Sequence, residues 1–335
     1  MGMMDGWTSR LRLEIGGILA VIIVINLALM EYWDSEPALF DVKAVALKRV
    51  GGDEKKLWPG VVITSTLIET VNTLLDKRGG YLSNDVMPPG VFMDNMPSWE
   101  FGVLTQVRDL AKALRNDMSR SQSQSTEDPD LQTAEPHFNY QNDAWILPSS
   151  ESEYRAGNEA LERYLARLLN EKDQNAQFYA RADNLRDWLA LIEKRLGSLS
   201  QRLSASVGQE RVNIDLNSPT AIAGSTDERA RINVKTPWLE IDNVFYEARG
   251  SAWALILFLK AAEIDFHGVL EKKNALVSLQ QIIRELEGTQ ATVWSPMILN
   301  GTGFGFVANH SLVMASYLSR ANAALGDLRK LLEQG

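Results

Sequence analysis

The sequence predicts an all-α protein: a helical bundle with long loops, carried on one N-terminal transmembrane helix. Three observations predict it. Residues 15–30 read "IGGILAVIIVINLALM", with one strongly polar residue, Asn26. Apolar residues recur at helical spacing through most of the remaining chain. From Phe178 to Leu203 they step by 4, 3, 4, 3, 4, 3 and 4 residues, the spacing of a heptad seam.

The 335 residues suffice for one large domain or two small ones. Net charge is −9. Two basic and three acidic groups fall in the first 33 residues, which leaves the remainder at −8. Such a body repels phosphates, so nucleic acid is not an expected partner. It gains nothing from an anionic membrane surface either. There are no cysteines, which excludes disulfides, thiolate zinc sites and cysteine nucleophiles. The three histidines, His137, His267 and His310, lie at no ligand spacing. No metal or cofactor is therefore expected.

Residues 11–33 make a helix of 23 residues, about 34 Å long, enough to cross a bilayer core. Tyr32 and Trp33 stand where an aromatic belt belongs. Arg10 and Arg12 precede the segment, and Glu31, Asp34, Glu36 and Asp41 close or follow it. This asymmetry predicts residues 1–10 in the cytoplasm and the rest outside. The end of the segment, "NLALMEYW", lacks the small residues of a cleavage site, so the anchor is expected to stay. Gly16 and Ala20 form a small-xxx-small pair, and Asn26 offers a bond to a second helix.

A juxtamembrane segment, 34–59, ends near "VGGD", and the body is expected over 60–335. Leu67, Ile68, Val71, Leu74 and Leu75 predict a helix over 64–77. "GGYLSND" and "MPPG" predict a long connection, 79–97. Ser98 is the expected N-cap of the next helix, with Glu100 in its first turn and Val103, Leu104, Val107, Leu110, Ala111, Leu114 and Met118 on one face. Residues 119–149, opening with "SRSQSQSTEDPDL", read by composition as a long polar loop. Spacer and ordered surface both fit it.

Ser150 and Glu153 predict a capping box, followed by a helix with Tyr154, Leu161, Leu165 and Leu168 inward. A short turn near 171–174 then leads into the heptad seam, and the two helices are expected to pair as an antiparallel hairpin. Internal packing is preferred over an intermolecular coiled coil. "RVNIDL" and "RINV" alternate like short strands and predict a minor β-hairpin within 210–235. Thr236 and Pro237 are the expected cap and first residue of a largely helical run to Glu287, with Gly250 and Gly268 as candidate kinks or breaks. "AWALILFL", 252–259, is too short to cross a membrane and reads as core. The last helix is expected from about Asn309 to Leu332.

Chemistry is sparse. "NGTGFGF", 300–306, lacks the preceding strand and following lysine of a phosphate cradle. His310 and Ser311 are adjacent, whereas a triad assembles distant residues. Glu100 and Asp109 are the carboxylates a general acid–base pair would use. "FYARADNLRDW" groups Tyr179, Arg181 and Asp183, and predicts Asp183 facing Arg186 and Asp187 on a helix. The candidate interaction surface comprises Tyr81, Asn84, Asp85, Trp99, Glu100, Arg108, Asp109, Arg120, Gln122, Gln124, Tyr179, Arg181 and Asp183.

The strings "LLDKRGGYLSND", "DNMPSWEFGVLTQVRDLAKALR", "SRSQSQSTEDPDL", "AQFYARADNL", "RLGSLSQRLSAS" and "SPMILNGTGFGFVANHSLVMASYLSRANAAL" resemble a family of uncharacterised proteobacterial inner-membrane proteins. The resemblance covers nearly the whole chain. It implies a Gram-negative cell, so that the body would be periplasmic, and it implies no activity. It also favours an ordered surface at 119–131.

The expected function is a non-enzymatic scaffold or interaction protein of the cell envelope, binding the bilayer through 11–33 and an envelope protein or itself through the body. The alternatives are a cell-wall or lipid-acting enzyme using Glu100 or Asp109, and a small-ligand module near Trp99 and Trp188.

Overall fold

The computed structural model describes residues 2–120, 126–170, 176–212, 231–293, 298 and 310–334. Helix α1, Gly2–Trp33, begins at the first described residue. Its Leu13–Trp33 portion, 21 residues, is long and apolar enough to cross a membrane, and no residue of it is fully buried by the body. Asn26 donates to Ile22 O at 2.9 Å within the same helix, which meets part of its need in an apolar setting.

Ten further helices are described: α2 (Val42–Arg49), α3 (Val61–Asp76), α4 (Asn95–Ala113), α5 (Pro129–Phe138), α6 (Ser150–Leu168), α7 (Ala182–Ser204), α8 (Ile241–Asp265), α9 (His267–Lys272), α10 (Leu276–Gly288) and α11 (His310–Glu333). Between α7 and α8, β1 (Gln209–Val212) and β2 (Arg231–Val234) pair antiparallel, with Gln209 opposite Val234. The expected minor hairpin is there; its tip lies outside the described residues.

Helix α8 is the centre. Ala252 to Leu259 are each at most 1% exposed. Each buried Leu, Ile or Phe of such a run contributes roughly 1.5–3 kcal/mol. Helices α3, α4 and α10 pack on α8, α6 packs on α3, and α5 packs on α6. The α4–α8 crossing is closest. A Cβ on Gly102 would sit 2.1 Å from Glu247 O, and one on Gly250 would sit 2.0 Å from Trp99 O. Ser251 Oγ donates to Gly102 O at 3.1 Å across the same contact. Beside it the Trp99 and Trp253 rings meet at a tilt of 57°, with centroids 5.2 Å apart.

The buried start of α3 is capped by another helix. Asp265, last residue of α8 and 5% exposed, accepts from Ile63 N at 2.8 Å. An N-terminus inside a core needs such an acceptor.

Several expectations are corrected. Gly250 does not break its helix; α8 runs through it, and the glycine admits α4. Gly268 lies inside α9, and the chain bends just before it at Phe266. Helix α4 starts at Asn95, not after Ser98, because Pro97 fits a first helical turn. The cap of α6 is Ser149, whose Oγ accepts from Ser152 N at 3.3 Å. Ser150 instead donates to Gln141 O at 2.8 Å, and Glu153 turns to His137. Pro237 precedes a short 3-10 turn, Trp238–Glu240, and α8 opens at Ile241.

The seam is internal, but its partner is not the preceding helix. Leu185, Leu189, Ile192, Leu196, Leu199 and Leu203 are buried against α11, joined by Ser200 to Ser319 at 2.7 Å. Phe178 stands ahead of α7 and packs on Phe266, with centroids 5.6 Å apart. The expected loop 119–149 contains α5, capped by Asp128, which accepts from Asp130 N at 2.9 Å and Leu131 N at 3.2 Å. Residues 121–125, the turn near 171–174, and the "NGTGFGF" stretch lie outside the described residues.

Candidate functional site

The predicted surface divides between the two ends of α4. Glu100 and Met118 stand on the order of 25 Å apart along the helix and the π-turn, Leu114–Met118, that extends it.

The first group surrounds Glu100, which is fully buried. Its carboxylate accepts from Leu82 N at 2.9 Å, from Ser83 N at 2.8 Å and from Ser83 Oγ at 2.5 Å. It also pairs with Lys77 Nζ, whose side chain is 2% exposed and which donates to Gly80 O as well. Burial pushes the Glu100 pKa up, and the Lys77 ammonium and these donors pull it back. The Lys77 ammonium and the Leu82 and Ser83 donors converge on this one carboxylate, so Glu100 holds the "RGGYLSND" turn in place. Trp99, beside it, is core.

Tyr81 follows in that turn. It is buried, donates to Asn142 O at 2.9 Å, and meets Tyr154 edge-on at 5.6 Å. Burial drives its phenol pKa up, assisted by Tyr154 and Glu100. Asn84 donates to Ala144 O at 2.8 Å and to Glu151 at 2.6 Å. Asp85 is half-buried, with its pKa raised by burial and by Glu151. Arg108, two turns along α4, donates to Phe138 O and Tyr140 O, each at 2.7 Å. These residues stitch the 77–94 connection and α4 to the segment after α5.

Asp109 faces elsewhere. Nine residues from Glu100, it projects about 180° around the helix. There Arg195 of α7 grips it with bonds of 2.8 and 3.1 Å. Glu100 and Asp109 share no cleft, and the acid–base pair drawn from the sequence is not assembled.

The second group lies past the π-turn. Tyr179 N donates to Met118 O at 2.7 Å. Arg181 lies over the Tyr179 ring at 5.5 Å and bonds Asp183 at 3.2 Å and Asn184 at 3.0 Å. Arg181 and Asp183 meet because Arg181 is extended (φ −114°, ψ 154°) ahead of α7, where helical spacing does not apply. Arg186 bonds Asp187 at 2.8 Å, and Asp183 acts on it at longer range. Arg120 approaches Glu127 at 3.8 Å. Gln122 and Gln124 lie outside the described residues. Below this group Arg115 bonds Glu127 and Glu135, while Arg167 bonds Asp128 and Asp130. The second half of "SRSQSQSTEDPDL" is thus an ordered surface of paired charges.

A third region escaped the sequence reading: the junction of α1 with the body. Arg249, 6% exposed, grips Glu36 with bonds of 2.7 and 2.5 Å and donates to Thr289 O and Ala291 O. Phe40 meets Trp253 edge-on at 6.1 Å. Arg78 lies over the Tyr32 ring at 5.0 Å and donates to Ser35 at 3.0 Å. Gly79, at φ +83°, leaves room for Trp33; a Cβ there would lie 2.8 Å from its ring. A cleft of about 780 Å³ opens here between Glu31, Asp34, Tyr246, Arg249, Trp253 and Gln290. The Trp253 indole N–H is buried and has no hydrogen-bond partner among the described residues. Asp34 keeps access to solvent at the rim, yet its pKa is pushed up to about 6, by desolvation first and then by Glu36, Glu31 and Asp94. One clue was legible: a lone arginine ahead of "GSAWALILFL" has to find an acceptor.

His310 opens α11 half-buried, with its ring edge-on to Phe245 at 6.3 Å; burial lowers its pKa. Trp188, like Trp99, is core and lines no part of the junction cleft.

Fold and junction define the class: an all-α body fixed to one apolar helix of membrane-crossing length. The chain belongs to the family described as uncharacterized protein conserved in bacteria (DUF2333), whose profile matches residues 7–335. No curated protein and no solved structure matches it significantly.

Proposed function

We propose that this chain is a non-enzymatic scaffold of the bacterial cell envelope, held in the inner membrane by residues 13–33 with its helical body in the periplasm. The rigid junction carries the reading. Glu36–Arg249, Phe40–Trp253 and Trp33 against Gly79 fix the helix to the body, as suits a protein that presents a surface at a set height and angle. The placement of Arg10 and Arg12 before the apolar span, and of four acidic residues at or after its end, supports a cytoplasmic N-terminus. The ordered charge surface of α5 and α6 is the face offered to an envelope protein or a second copy.

Crosslinking in intact membranes followed by pull-down of the full chain tests this. A reproducible partner or a self-crosslink is expected; monomer alone overturns it. A C-terminal reporter is expected to be active only in the periplasm, and activity in the cytosol overturns the orientation.

The junction cleft favours a second reading, a module for a small cationic ligand. Glu31 and Asp34 supply negative charge there and Tyr246 an aromatic wall. Thermal stabilisation of the full chain by amines would favour it.

A further inference from the structure

The connection between α3 and α4 carries an apolar tip with no cover. Val86 is 49% exposed, Met87 71%, Val91 48% and Phe92 65%. The tip lies at the foot of the body, against α1. Leu27, Met30, Phe92 and Met93 line one cavity of about 270 Å³, with Glu31, Asp34, Asp94 and Asn95 at its polar end. Leu27 precedes Trp33 by six residues, about 9 Å along the helix. Phe92 thus stands beside a turn that lies below the end of the apolar span.

The tip is also suited to leave water. Three of its N–H groups are closed locally: Val91 N to Met87 O at 3.1 Å, Phe92 N to Pro89 O at 3.0 Å and Met93 N to Gly90 O at 2.9 Å. Pro88 and Pro89 bring no N–H. A segment entering hydrocarbon must satisfy its backbone internally. No Lys or Arg occurs from Gly79 to Val107, so the tip has nothing to offer anionic headgroups.

From this juxtaposition we propose that the Val86–Phe92 tip is a second membrane contact, a wedge of Val86, Met87, Val91 and Phe92 that inserts into the leaflet from which α1 emerges. The occupant of this surface is the apolar boundary of that bilayer. Insertion to about 5–10 Å is the depth usual for interfacial apolar segments, and it matches the position of Phe92 beside Leu27. The wedge rests on the reading that α1 spans the membrane. It adds that the body is seated on the lipid and does not stand clear of it.

The chain has no cysteine, so single cysteines can carry an environment-sensitive fluorophore without background. The full chain is reconstituted in vesicles of zwitterionic lipid, with and without lipid bearing a doxyl quencher high on its acyl chain. Met87→Cys and Phe92→Cys are labelled separately, with Ile22→Cys as the spanning control and Asp327→Cys as the exposed control. Met87 and Phe92 labels are expected to lose most of their emission to doxyl lipid and to resist aqueous iodide, as Ile22 does. Labels that behave like Asp327, answering iodide and ignoring doxyl lipid, overturn the wedge. Labels shielded from both overturn it too, because protein then covers the tip. If the Ile22 label also escapes doxyl lipid, the spanning reading itself falls; if Ile22 is quenched and the tip is not, only the wedge falls.

Discussion

Glu36 and Arg249 lie 213 positions apart in sequence, yet their side chains form a two-pronged bond just past the end of the apolar helix. Arg249 is nearly inaccessible to water, and Glu36 is its only carboxylate among the described contacts. Glu36→Ala strands a buried guanidinium and is expected to cost about 3–5 kcal/mol. Denaturation of the full chain in detergent measures this. The double variant Glu36→Ala/Arg249→Ala is expected to lose clearly less than the sum of the single losses.

The Glu100–Lys77 pair gives a sharper contrast. Glu100→Ala leaves the ammonium and the Leu82 and Ser83 amides without their acceptor, and should cost about 3–5 kcal/mol. Protease sensitivity near Gly79–Asn84 should rise with it. Asp109→Asn, whose partner Arg195 is half-exposed, is expected to cost at most about 1 kcal/mol. Equal losses would contradict the structural role assigned to Glu100.

Gly102→Ala and Gly250→Ala reverse the usual sign. Alanine in a helix normally gains up to about 1 kcal/mol over glycine. Here the added methyl would sit near 2 Å from a backbone carbonyl of the facing helix, so α4 and α8 must part. A loss of about 1–3 kcal/mol or more is expected, as for overpacked cores. Gly268→Ala, which meets nothing within 4 Å, serves as the control and should stabilise or stay neutral.

Asp265 makes stability depend on pH. Burial raises its pKa from 3.8 to about 7, and the amides at the start of α3 lower it in part. One of its oxygens, Oδ1, has no hydrogen-bond partner among the described residues. Between those two values the folded state holds a proton that the unfolded state has released, so stability rises as pH falls from about 7 toward 4. The effect is on the order of a few kcal/mol. Asp265→Asn is expected to flatten this slope, read from denaturation midpoints across the window.

Much of this architecture is legible in sequence where the signal is local. The span, the α6 and α11 stripes and the α7 seam follow from apolar spacing, and the hairpin from alternation. What fails is non-local or masked. The seam's partner is α11, more than a hundred residues on, while the sequence offers only the neighbouring α6. Helix α5 hides behind Pro129, Pro136 and a polar composition, although Asp128-Pro129 is a fair N-terminal signal. Helix α2 is too short, at 8 residues, to show a period. For the site, residue type is informative and role is not: the sequence offers Glu100 as an interaction-surface residue, and as an acid or base only in the alternative reading, while the fold brings Lys77 and two loop amides onto it.

Trp33 pressed against Gly79 has a mechanical meaning. A swivel between helix and body would let the body drift whatever the lipid does. With that swivel removed, any lean of the helix is a lean of the whole molecule. In the spanning arrangement proposed above, a helix answers a thinner bilayer by tilting, and the upper surface of the body would swing sideways as the membrane thins, turning bilayer thickness into displacement.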